Sequence, residues 1–177
     1  TGNAVDFGDR TVAKHYHFRG CSSSDSTRGL FAGGYNPSIN TIDYITMASA
    51  GNATDFGDVT SEDIRNAMGA SSSTRGVIAG GQTPAPSNGT DAIDFLTIAT
   101  TGNTTDFGNL TDGRRRGSGL SNSIRGVFAG GYDPSAKNTM DFVTIASTGN
   151  STDFGDYSGA SIARLGTSAS DSHGGIS

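Results

Sequence analysis

The stretch Thr139 to Gly155 reads TMDFVTIASTGNSTDFG, and close copies of it stand at Thr41 to Gly57 (TIDYITMASAGNATDFG) and Ala92 to Gly108 (AIDFLTIATTGNTTDFG). A phrase that returns at a near-constant interval marks a repeat architecture, in which each unit buries its apolar faces against its neighbours. Within the phrase, Ile42, Tyr44 and Thr46 fall on one side of an extended chain and Asp43, Ile45 and Met47 on the other. This is the two-residue period of a strand rich in β-branched and aromatic side chains. Because both sides carry apolar groups, both faces of the sheet are expected to be covered. The pairs Gly51-Asn52, Gly102-Asn103 and Gly149-Asn150 suit positive φ. They predict a tight hairpin that makes the following DFG segment the antiparallel neighbour.

Two further anchors extend the unit. Upstream lies an arginine, a short apolar run and a diglycine: Arg28 to Gly34 (RGLFAGG), Arg75 to Gly81 (RGVIAGG) and Arg125 to Gly131 (RGVFAGG), starting 47 and 50 residues apart. Before each comes a variable Ser-rich stretch, such as Gly69 to Thr74 and Gly119 to Ile124. The last phrase also occurs alone near the start, as GNAVDFG at Gly2 to Gly8. Each unit of about 49 residues therefore predicts four strands, called a (Ser-rich), b (RGxFAGG), c (xIDYxTIAS) and d (GNxxDFG). Pro37, Pro84, Pro86 and Pro134 all fall between b and c, where a missing amide donor does no harm. Unit length varies most there and after strand d, as loops allow.

Composition agrees with short strands and tight turns. Among 177 residues, Gly occurs 27 times and Trp is absent. Lysine stands only at Lys14 and Lys137 and glutamate only at Glu62, so almost no helix is expected. The net charge of −5 argues against nucleic acid as a partner, which would need a basic face. The one basic run, Arg114-Arg115-Arg116, is expected to be a solvated loop. A lone Cys21 makes no internal disulfide, and no apolar stretch approaches a membrane span, so no membrane partner is expected. The chain begins inside a strand d and stops inside a fourth unit near Gly174-Gly175. It is expected to be one repeat domain over residues 1–177, with three complete units and partial units at both ends, cut from a longer chain.

Several residues invite a chemical role. Asp43, Asp94 and Asp141 sit between apolar neighbours, where a carboxylate is costly unless paired. Arg28, Arg75 and Arg125 recur once per unit, and a structural Arg–Asp pair in or between sheets is predicted. Acids three apart in a Gly-rich turn, Asp6/Asp9, Asp55/Asp58 and Asp153/Asp156, could hold calcium, although Asx-type turn capping accounts for them better. His15 and His17 share a side of an extended strand but lack a third ligand, so no metal or other cofactor is expected. The sequons at Asn52, Asn88, Asn103, Asn109 and Asn150 largely coincide with the repeated turn, whose chemistry explains them without glycans. No nucleophile elbow, phosphate-cradling loop or zinc motif occurs, and the chain is expected not to be an enzyme.

The order of these elements resembles the kelch repeat, a four-stranded blade whose second strand closes on a diglycine. Gly33-Gly34, Gly80-Gly81 and Gly130-Gly131 match that diglycine. Tyr44, Phe95 and Phe142 stand for the strand-three aromatic of the family, and Phe7, Phe56, Phe107 and Phe154 replace its later tryptophan. The resemblance implies an all-β, kelch-like β-propeller built from four-stranded blades; an open β-solenoid stack is the alternative. The phrases TRGLFAGGY (Thr27 to Tyr35) and NTMDFVTIASTGN (Asn138 to Asn150) are also similar to repeats in structural and tail-fibre-like proteins of marine bacteriophages, cyanophages among them. That likeness implies a structural and binding module of a virion, located in the virion or outside the cell, with other virion subunits or copies of itself as partners. The variable b–c loops, with Tyr35, Asn36, Gln82, Thr83, Tyr132 and Asp133, would contact a host-surface glycan or protein. A soluble cellular propeller that binds carbohydrate or protein is the competing expectation.

Overall fold

A computed structural model describes residues 2–12, 27–34, 39–60, 65–83, 88–156, 158 and 170–171. The described chain is all-β, with no helix, and its strands form three sheets in sequence order. The first is β1 (Arg28–Gly34), β2 (Ile39–Thr46) and β3 (Thr54–Asp58). The second is β4 (Met68–Ser71), β5 (Arg75–Ala79), β6 (Ala92–Thr97) and β7 (Thr105–Asn109). The third is β8 (Ser118–Asn122), β9 (Arg125–Ala129), β10 (Thr139–Thr144) and β11 (Thr152–Asp156), with β12 (Ser170–Asp171) parallel to β8 at its edge. Each sheet is an antiparallel meander of sequential neighbours, as the a-b-c-d order predicts. Strand a of the first unit, with His15, His17 and Cys21, lies outside the described residues.

Alternation along the strands sends each sheet's side chains to both faces. In the second sheet, Val77 opposes Phe95 and Ala79 opposes Ile93, while Ile78 opposes Asp94 and Gly76 opposes Leu96. Ile78, Leu96 and Ile98 join Leu30, Ile42, Phe56 and Val59 in a core between sheets one and two. Val77, Ala79, Ile93 and Phe107 join Phe128, Val143 and Ile145 in a second core between sheets two and three. The middle sheet is therefore covered on both faces, as the two-sided apolar pattern predicts. Fully buried side chains such as Ile93 and Ile98 each stabilise the stack by about 1.5–3 kcal/mol.

The Gly-Asn pair does not form the expected tight hairpin turn. The chain reverses one step earlier, where Ser49 N–H donates to Thr46 O, Thr100 N–H to Thr97 O and Ser147 N–H to Thr144 O. The glycine and asparagine instead reach the unit before. Gly51, Gly102 and Gly149 N–H donate at 2.7 Å to the carbonyls of Phe7, Phe56 and Phe107. The Asn52, Asn103 and Asn150 side-chain oxygens accept from the N–H of Asp9, Asp58 and Asn109 at 3.0 to 3.1 Å. What looks like local turn chemistry thus binds one sheet to the next.

The glycine of DFG makes this approach possible. At Gly57 and Gly108 the φ angles are +143° and +144°, and a methyl group would lie 2.4 to 2.5 Å from backbone of the following turn. Across from each lies a register shift in strand c, between Ile42 and Asp43 or between Ile93 and Asp94. Such bulges bend a strand locally.

Candidate functional site: the sheet seams and the loop rim

The chemistry-bearing residues collect in the seams. Asp43, Asp94 and Asp141 are all buried on the face of strand c that looks toward the preceding unit. Each accepts a hydroxyl hydrogen bond from a threonine just after the preceding DFG segment. Thr60 Oγ1 meets Asp94 at 3.2 Å, Thr111 Oγ1 meets Asp141 at 2.6 Å, and Thr11 Oγ1 makes the corresponding bond to Asp43. Asp43 and Asp141 each also take an arginine. The Arg10 Nε lies 2.8 Å from Asp43, and the Arg114 guanidinium lies 2.8 Å from Asp141, with both side chains of the second pair fully buried. Arg114 further donates to the carbonyls of Phe128 and Asp112 at 3.1 and 3.2 Å. This meets the rule that a buried charge needs an opposite charge and hydrogen bonds together.

These partners differ from the predicted ones. Arg28, Arg75 and Arg125 lie over the rings of Tyr44, Phe95 and Phe142, with 4.6, 4.6 and 4.8 Å from guanidinium to centroid. The reason is parity: Arg75 opposes Thr97 and Asp94 opposes Ile78, so arginine and aspartate project from opposite faces of one sheet. The second correction concerns the basic run. Arg114 is no solvated loop residue but one of the most deeply buried side chains, and Arg115 lies against the Tyr132 ring at 5.5 Å.

The strand-b arginines clamp the next unit. Arg28 donates to Ile98 O at 2.8 Å, and Arg75 donates to Ile145 O and Ala146 O at 3.1 and 2.9 Å. Each aromatic under an arginine meets the phenylalanine of its own strand d edge-on, with centroids 6.0 Å apart in all three units. Arg75→Ala is expected to cost about 1–2 kcal/mol, since it removes a cation–π contact and two carbonyl hydrogen bonds. Arg75→Lys should restore only part, because a lysine does not reproduce the planar fork. Arg125→Ala should cost less, about 0.5–1 kcal/mol for the exposed cation–π contact with Phe142 alone, because no described carbonyl accepts from Arg125. Chemical denaturation of the three variants measures the contrast.

The loop rim holds the predicted binding residues. Tyr35 and Asn36 lie outside the described residues. Gln82 is buried and accepts from the Asn66 side-chain amide at 3.2 Å, which commits it to packing rather than to a ligand. Thr83 N–H donates to Asn88 O, closing the base of its loop. Tyr132 exchanges backbone contacts with Arg115 and Ala136, while Asp133 N–H donates to Ser135 O. Thr83 and Asp133 remain partly exposed on this rim. At the other end of the strands lies a recess of about 150 Å³ lined by Phe107, Phe142, Thr144, Thr148, Asn150 and Thr152. No single residue pattern marks it in the sequence, because it exists only where two units meet.

The paired acids act as turn caps. Asp6, Asp55 and Asp153 each accept at 2.8 to 3.1 Å from the N–H of the glycine two residues on. Among the described residues, no three or more His, Cys, Asp or Glu side chains gather where they could share a metal ion. No protein-family model matches the chain, and no curated protein matches it in sequence.

Proposed function

We propose that the chain is a non-enzymatic structural and binding module, a run of kelch-like propeller blades in a phage virion, tail or tail-fibre associated, whose b–c loops contact a host surface. One observation carries this reading. The most specialised side chains at the two seams between sheets are spent on the neighbouring unit: strand-c aspartate on threonine, Arg28 and Arg75 of strand b on the next turn, asparagine on the preceding strand d. Such a repeat holds a shape, and its specificity then lies in the segments that differ between units, chiefly the loops with Thr83 and Asp133. The blade reading draws support from the four-stranded meanders and from the left-handed glycines Gly33, Gly80 and Gly130 that end strand b, with φ of 63° to 69°. The virion reading draws on the phrase-level likeness to tail-fibre-like repeats.

Cryo-electron microscopy of the native assembly that contains the chain is the test. Sheets arranged around an axis and attached to a phage tail are the expected result. A closed ring free of any particle would favour the soluble binding protein, and an open stack would overturn the propeller.

A further inference from the structure

An asparagine followed by glycine is the pair most open to a reaction of the backbone with a side chain, and the sequence holds it once, at Asn88-Gly89. The reaction needs the nitrogen of the second residue to reach the side-chain carbonyl carbon of the first. Glycine presents that nitrogen with no Cβ in the way. The local geometry leaves both reactants unengaged. Gln82 and Gly89 stand opposite each other as an antiparallel pair, joined by Thr83 N–H to Asn88 O at 3.3 Å and Thr90 N–H to Gly81 O at 3.0 Å. These two bonds bracket Gly89, so its own N–H points away from Gln82. No described residue accepts from that N–H, and none bonds to the Asn88 side chain.

The repeated Gly-Asn turns are the opposite case. The side-chain oxygens of Asn52, Asn103 and Asn150 are held by the N–H groups of Asp9, Asp58 and Asn109. The N–H of the residue after each, Ala53, Thr104 or Ser151, donates to the carbonyl of Asp9, Asp58 or Asn109 at 2.8 to 2.9 Å. Both would-be reactants are therefore fixed in the seam. After Asn109, the Leu110 N–H is tied to Asp91 O at 2.7 Å, and the Asn122 side-chain oxygen accepts from the N–H of Ile124 and Arg125.

We infer that Asn88-Gly89 is a site of self-modification. The Gly89 nitrogen gives its proton to solvent base and attacks Cγ of Asn88. The new C–N bond closes a succinimide ring, and the side-chain nitrogen leaves as ammonia. Water then opens the ring at either carbonyl, giving aspartate or, with the main chain rerouted through the side chain, isoaspartate. The net change exchanges NH2 for OH and consumes only water. Its effect follows from where the glycine lies. A Cβ on Gly89 would stand 2.7 Å from Arg114 Cα, and Thr90 O takes the Arg114 N–H at 3.1 Å. Isoaspartate therefore puts an extra methylene and a charge into a backbone crossing packed on the segment that carries the buried Arg114–Asp141 pair. It also turns the Asn88 carbonyl that closes the loop at Thr83 into a free carboxylate. The loop changes shape and charge once, with age, whatever it binds.

Tandem mass spectrometry of the full chain, incubated in mildly alkaline buffer both folded and in urea, tests this. In the folded chain a mass gain of about one unit should localise to Asn88. It should form at least about tenfold faster there than at Asn52, Asn103 or Asn150. Chromatography should resolve the product into aspartate and isoaspartate forms, and Asn88→Gln, whose longer side chain disfavours ring closure, should lack the gain. Unfolding in urea should speed reaction at the turn asparagines yet leave the Asn88 rate within about threefold of its folded value. An Asn88 that stays intact in the folded chain while the unfolded chain reacts, a gain shared evenly among the asparagines of the folded chain, or a gain that persists in Asn88→Gln would each overturn the inference.

Discussion

Gly108→Ala is expected to destabilise the fold by roughly 3 kcal/mol or more, because a strained backbone angle and a steric clash fall on one atom. At φ +144° an alanine is outside its allowed regions, and the added methyl would stand 2.5 Å from the carbonyl group of Gly149. Neither neighbour can yield cheaply. The Gly149 backbone is tied by its own N–H to Phe107 O at 2.7 Å, so moving it away opens the seam between sheets two and three. Gly51→Ala is the control: nothing lies within 4 Å of its added methyl, and its N–H keeps its bond to Phe7. The control should change stability by less than about 1 kcal/mol. Urea denaturation of both variants decides the matter. Equal effects would show that the short distance at Gly108 is not what holds the seam.

Arg114→Ala should cost about 3–5 kcal/mol, the range found when one partner of a buried ion pair is removed. With both side chains at 0% exposure, Asp141 would retain Thr111 but lose its counter-charge, and Phe128 O would lose its donor. The paired change Arg114→Met with Asp141→Asn should recover most of the loss, because Asn still accepts from Thr111 and no buried charge remains. The comparison between single and double variants by equilibrium unfolding is the informative measurement. A double variant as unstable as the single one would mean that Arg114 acts through its volume and its carbonyl bonds rather than its charge. Arg10→Ala, at the partly exposed counterpart beside Asp43, should cost less for the same reason that water can replace it.

Much of this was legible from the residues. The two-residue period around Asp94 predicts a strand with two apolar faces, and Ile93 and Leu96 lie in different cores. The unit boundaries, the four-strand order and the position of Pro134 outside the strands also follow from spacing and turn residues. What escaped was the direction in which polar groups reach. Gly102-Asn103 has the composition of a hairpin turn, so nothing local says that its donors and acceptors serve Phe56 and Asp58, roughly a full unit earlier. The pairing of arginine with aspartate failed similarly, because it depends on which residues stand opposite across two strands. Arg114 was misjudged because the other units carry no arginine at its place, and a feature seen once looks like a loop. The recess at Thr148 and Asn150 was invisible for the same reason, since it needs two units to form its walls.

The bond from each Gly-Asn turn to the strand d before it has a genetic consequence. Because each described junction uses the same donors, acceptors and glycine, a change that adds or removes a whole unit leaves the flanking units to meet through contacts they already possess. Length in such a chain is a heritable variable that can change in steps of one unit while the interior of each sheet stays as it was.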